Sequence, residues 1–185
     1  MVAPTGFVEE LAAARIGETF NQYAEGERAP LLRERLVAYL ERRAGAEFLL
    51  VGEAPGYRGA RVSGIPFTSE RQLTGSGPAE ATATVVQRIL TELDLEEDVL
   101  LWNAVPTHPG TATSNRRPTR LEVAAGARFA RVLARGRRVV AVGRVAHETY
   151  ALAYVRHPAH GGAREFRAGL VELLDRGGIL VSDQA

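Results

Sequence analysis

The chain has 185 residues, which suits one domain with a sizeable core, and its 45% hydrophobic and 24% charged content fits a soluble globular protein. Cysteine is absent, which excludes disulfides, thiolate catalysis and cysteine-ligated zinc or iron–sulfur centres. The net charge of +1 is too balanced to mark a nucleic-acid binder by itself, and no apolar run reaches the about 20 residues of a membrane span. No basic-then-apolar signal opens the chain, so a cytoplasmic location is expected. All 23 basic residues are arginine; codon bias accounts for this, although arginine forks also suit phosphate oxygens.

Residues 1–45 read as a helical segment packed on the domain, clearest over LLRERLVAYLERRAG (31–45). EFLLVG (47–52) is the first predicted strand, an apolar run ending in Gly as buried parallel strands do. It leaves through GEAPG (52–56), where two glycines permit close backbone approach, Pro55 stiffens the turn and Glu53 stands at its mouth. A solvated loop acid and an active-site acid are both compatible with that pattern. SGIPF (63–67) then brings Phe67 on a second stiff loop, either as core or as a face for a flat ring.

A helix is predicted over 81–95, with Val85, Ile89, Leu90 and Leu93 along one face. The strand VLLWNAV (99–105) carries Asn103, whose amide offers one acceptor and two donors and needs partners if buried. SNRRPTR (114–120) leads into a helix over 118–136 that opens at Pro118 and closes on Gly136; its arginines are solvated or contact phosphate. RVVAVG (138–143) is the third strand, followed by a short helix, RVAHETYA (144–151), bearing His147. ALAYVRH (151–157) is the fourth strand, and Pro158 holds His157 extended. A last helix, AREFRAGLVELLDRGG (163–178), stops on Gly.

The βα alternation predicts a three-layer αβα fold around a central four-stranded parallel sheet. Ligands in such folds bind outside the carboxyl ends of the strands, where every unusual stretch of this chain falls. His108, His157 and His160 could converge on a metal, but no acidic ligand accompanies them, so no metal site is assigned.

GEAPG followed by GIPF, a strand ending in Asn103, NRRPT (115–119) and HPAHGG (157–162) occur in that order over residues 47–170. In this the chain resembles the uracil-DNA glycosylase superfamily. The motifs are most similar to its family-four enzymes, whose four cluster-binding cysteines this chain lacks. The resemblance implies the α/β fold of that superfamily and a single domain over 1–185. It also implies catalytic roles for Glu53, on the water that attacks the sugar, and for His157, on the base O2. Base binding falls to Gly52, Ala54, Phe67, which stacks, and Asn103, which reads the Watson–Crick edge. DNA contacts fall to Arg58, Asn115, Arg116, His160, Gly161, Gly162 and Arg164.

Three departures stand out. Ala54 replaces a catalytic Asp of the best-known subgroup, and Gly56 replaces the aromatic that shuts out the thymine methyl there, leaving exclusion to another group such as Tyr57. The HPAHGG loop lacks a large apolar wedge. The implied protein is a monomeric, cofactor-free hydrolase that releases uracil or a related deaminated base from DNA, leaving an abasic site for base excision repair. Two alternatives are a non-catalytic module that grips damaged or single-stranded DNA, and a hydrolase of nucleotides or other small molecules on the same sheet architecture.

Overall fold

In chain order, α1 (Pro4–Ala13) and α2 (Ala29–Arg42) precede β1 (Phe48–Gly52), α3 (Ala60–Ser63), α4 (Glu70–Thr74) and α5 (Ala81–Glu92). Then follow β2 (Val99–Asn103), α6 (Arg120–Ala134), β3 (Arg138–Val142), α7 (Arg144–Tyr150), β4 (Ala153–Val155) and α8 (Ala163–Asp175). The computed structural model describes residues 3–150 and 153–175.

The four strands form one parallel sheet in the order β2-β1-β3-β4. Phe48–Gly52 and Val99–Asn103 are buried at every position. Both faces of these strands are therefore covered, as their unbroken apolar runs require. The register pairs Gly52 with Asn103 and Val142 with Val155, so the strands end nearly level and deliver their following residues to one edge.

The N-terminal segment joins this core through Phe7, whose ring meets Trp102 at 5.5 Å and Phe129 at 5.6 Å, both edge-on. It is not helical throughout, as residues 14–28 form an irregular link between α1 and α2. Gly17 there takes a left-handed φ of 55°, and the buried Asn21 amide donates to the carbonyls of Leu11 (2.9 Å) and Ala14 (3.1 Å). Those bonds satisfy the end of α1 and stop the helix.

Elsewhere the boundaries move for local reasons. α6 begins two residues after Pro118, because Thr119 caps it: its hydroxyl accepts from the Glu122 amide (3.2 Å) and the Glu122 carboxylate accepts from the Thr119 amide (2.8 Å). The helix closes ahead of Gly136 at φ 73°, as the sequence predicts. β2 stops at Asn103, since the Ala104 and Val105 amides donate to Gly52 O (2.8 Å) and Glu53 O (3.0 Å) beyond the ladder. The short α3 and α4 were not predicted; four- and five-residue helices carry no periodic signal. The first two residues of the predicted fourth strand (151–152) and the Gly177–Gly178 stop lie outside the described residues.

Candidate active site

Glu53, Ala54, Phe67, Asn103 and His157 line one small cavity of about 40 Å³ at the carboxyl edge of the sheet, with Pro55, Gly56, Ala60, Glu80, Thr82 and Ala83. It opens into a cleft of about 600 Å³ that shares Glu53, Gly56, Glu80 and His157, and whose rim carries Asn115, Arg116, Arg117, Arg144, Glu148 and His160. The elements that meet here are the exit of β1, the start of α5, the ends of β2 and β3, and the loop after β4.

The loop after β1 is fastened at successive points. Besides the Ala104 and Val105 bonds, His108 sets Nδ1 2.7 Å from Pro55 O, and the Tyr57 amide donates to Asn115 Oδ1 at 2.9 Å. His108 is wholly buried and its Nε2 lies 2.8 Å from Thr111 O. Both ring nitrogens are thus committed to carbonyls, and His108 does not join His157 and His160 as a ligand. Among the described residues no group of three His, Cys, Asp or Glu side chains is placed to hold a metal.

Phe67 takes a left-handed φ of 52°, a costly conformation for a bulky residue. Gln87 Nε2 holds its carbonyl at 3.1 Å. The conformation lays the ring against Gly52, where a Cβ would collide with it and stand 3.3 Å from Asn103 Oδ1. Gly52 is therefore required by the approach of the ring. Asn103 is 4% exposed, yet its side-chain amide makes no hydrogen bond to a described residue. The residue is buried, but its amide reaches the cavity it lines, where a ligand rather than the protein can supply its partners.

Glu53 is half-buried, and burial raises its pKa above the ordinary carboxylate value while the Arg117 cation opposes the rise. Burial, then the neighbouring His160, lowers the His157 pKa and favours the neutral ring. The Ala159 amide donates to His157 Nδ1 at 3.2 Å, so a neutral ring carries its proton on Nε2. Gly143, at φ 86°, lets the ring approach: a Cβ there would stand 3.2 Å from that of His157.

The predicted DNA-contacting residues divide. His160 (φ 54°) is exposed at the rim of the cleft and Gly161 (φ 79°) is exposed beside it, whereas Gly162 is buried, and a Cβ on it would collide with the His157 carbonyl. Arg58 and Arg164 are exposed away from the cavity lining. Asn115 braces the loop after β1, and Arg116 is bound through both terminal nitrogens to Glu122 (2.5 and 2.8 Å). Sequence reading missed Glu80, Arg144 and Gly143, and did not single out Arg117 from the other arginines of the 114–120 stretch. Only Arg117, beside Arg116 in NRRPT, and Gly143, at a strand end, carried a signal that could have exposed them.

The cavity thus lies at the strand exits of a parallel α/β sheet and brings together an amide without a protein partner, an aromatic ring and a half-buried acid. Residues 41–183 match the model of the uracil DNA glycosylase superfamily, and the chain belongs to that superfamily, whose members are in general N-glycosylases. Its fold is similar to the crystal structure of wild-type SMUG2 from Pedobacter heparinus, with a TM-score of 0.68 and 12% identity, covering 95% of this chain and 98% of that one. No curated protein sequence matches the chain. Among the described residues, no helix is long and apolar enough to cross a membrane.

Proposed function

We propose that the protein is a monofunctional DNA glycosylase that hydrolyses the N-glycosidic bond of uracil, or a related deaminated base, and leaves an abasic site. The observation that carries this reading is the Asn103 amide, without a protein partner, open to the cavity and set beside the Phe67 ring. One acceptor and two donors at the end of a rigid strand match the N3–H and O4 of a uracil ring lying on that face. A base reaches such a cavity by leaving the duplex, at a cost of a few kcal/mol, and stacking on Phe67 recovers roughly 1–3 kcal/mol.

The chemistry follows from the remaining groups. As the C1′–N1 bond breaks, its electron pair passes to the base and positive charge gathers on the sugar. His157 Nε2–H faces the base O2, and one preorganised donor of this kind is worth about 3 kcal/mol. The Glu53 carboxylate stabilises the sugar cation, orients the water that forms the new C1′–O bond, and takes its proton. The raised pKa of Glu53 suits it to receive that proton. Arg117, paired with Glu148 at 3.2 Å, and Arg144 line the cleft and would meet backbone phosphates, while the exposed His160 and Gly161 would enter the gap that the base leaves.

The test is incubation of the purified protein with labelled oligonucleotides carrying one uracil opposite guanine, opposite adenine or in single strands, followed by alkali. Strand breaks at uracil that disappear in Glu53→Gln and His157→Ala support the reading. Tight binding without base release, unchanged in Glu53→Gln, would replace it with a non-catalytic DNA-binding module.

A further inference from the structure

The pocket holds a second acid. A Cβ on Gly56 would overlap the Glu80 carboxylate, lying 2.7 Å from its Cδ, and one on Gly59 would lie 2.9 Å from the same atom. The two glycines therefore leave exactly the side of the pocket that Glu80 fills from across the cleft. Its backbone is fixed there: the Glu80 amide donates to Ser69 Oγ at 2.8 Å, while the Ser69 amide donates to Gln72 Oε1 at 2.7 Å to cap α4. The Glu80 carboxylate makes no hydrogen bond or ion pair with a described residue, and burial raises its pKa. It lines both the inner cavity and the cleft outside it, so a base must pass it to be seated.

We propose that Glu80 is a specificity-determining wall of this pocket, standing at the ring edge beyond the one Asn103 reads and refusing bases with an apolar substituent there, such as the 5-methyl group of thymine. This rests on the glycosylase reading above. With O2 at His157, N3–H and O4 at Asn103 and N1 toward the sugar, the edge left for the Gly56–Glu80 side is C5. A methyl group there would compete with the carboxyl for space and strip its remaining water without returning a hydrogen bond. A C5 hydrogen leaves room. The refusal of thymine thus comes from the start of α5 rather than from a side chain at position 56.

Full-length wild type, Glu80→Ala, Glu80→Gln and Glu80→Asp would be given duplexes with uracil, 5-bromouracil or thymine opposite guanine, and single-turnover rates of abasic-site formation measured. Glu80→Ala should raise the thymine-to-uracil and bromouracil-to-uracil rate ratios by about tenfold or more, the scale of one methyl-sized group in a pocket. Glu80→Asp, shorter by one methylene, should move both ratios the same way if the alanine variant does not fold. Glu80→Gln, of equal size, should keep them close to wild type. Ratios within about twofold of wild type in both shortened variants would overturn the proposal while leaving the glycosylase reading intact. A wild type inert on every base would overturn both.

Discussion

Replacing Glu122 with Gln tests the anchor that holds the 115–119 segment against the cleft. The Glu122 side chain is 2% exposed and accepts from Arg116 at 2.5 and 2.8 Å, from the Thr119 amide at 2.8 Å and from the Glu18 amide at 3.2 Å. The Arg116 hydrogen bonds, ahead of the backbone contact, hold its pKa down to about 2 against an ordinary 4.5. At about 1.4 kcal/mol for each pH unit, that fall corresponds to about 3 kcal/mol. The Arg116 side chain is 37% exposed, so water screens part of the attraction and about 2 kcal/mol remains. Because the folded-state pKa lies below the unfolded one, this contribution is complete above about pH 4.5 and is lost as pH falls toward about 2. Urea unfolding of wild type and Glu122→Gln, followed through the single buried Trp102, measures it. Wild type should exceed the variant by about 2 kcal/mol near neutral pH and converge with it only as pH falls below about 2, where the acid becomes protonated in the folded state as well. A difference that stays constant across that range would refute the ion pair as its source.

Three further outcomes are expected. Asn103→Ala should lower uracil release by about tenfold to a hundredfold in single-turnover assays while leaving the urea midpoint in place, since its amide has no protein partner to lose. Arg117→Gln should raise the Glu53 pKa further and move the acid limb of the kcat/KM profile to higher pH, because the lost cation had opposed the effect of burial; an unmoved limb would remove Arg117 from the site's electrostatics. The same variant should lower the salt slope of DNA binding by about one, whereas Arg116→Gln should chiefly cost stability. Gly143→Ala, strained at φ 86° and pressed on His157, should cut base release by about tenfold with little change in binding to abasic-site DNA.

The sheet was legible because each strand is a short apolar run closed by a turn residue, and a buried parallel strand has little other way to be written. The residues at its exits were legible for a related reason. Gly52, Glu53, Asn103 and His157 interrupt apolar runs with groups that a plain turn does not require. Arg116 was only half legible, because a guanidinium bound to a buried carboxylate and one free for phosphate look alike in sequence; the partner, six residues away, was readable only as half of a capping box. Glu80 was invisible for a different reason. Its relation to Gly56 and Gly59 spans the two short helices α3 and α4, and no local pattern encodes where that connection returns.

The fastening of the 52–57 loop to the segment after β2 also bears on motion. Two strand-exit amides, a buried imidazole and an asparagine side chain tie it within six residues. To open, this loop must break with the edge of the sheet rather than by itself, so its excursions belong to the large, rare class of sub-global unfolding. The Ala104 and Val105 amides should accordingly exchange with solvent deuterium as slowly as the strand interior. The 110–114 turn, exposed along most of its length, should exchange orders of magnitude sooner. The loop that lines the cleft is thus held as firmly as the sheet edge, while the turn between Pro109 and Asn115, which both line it, is not.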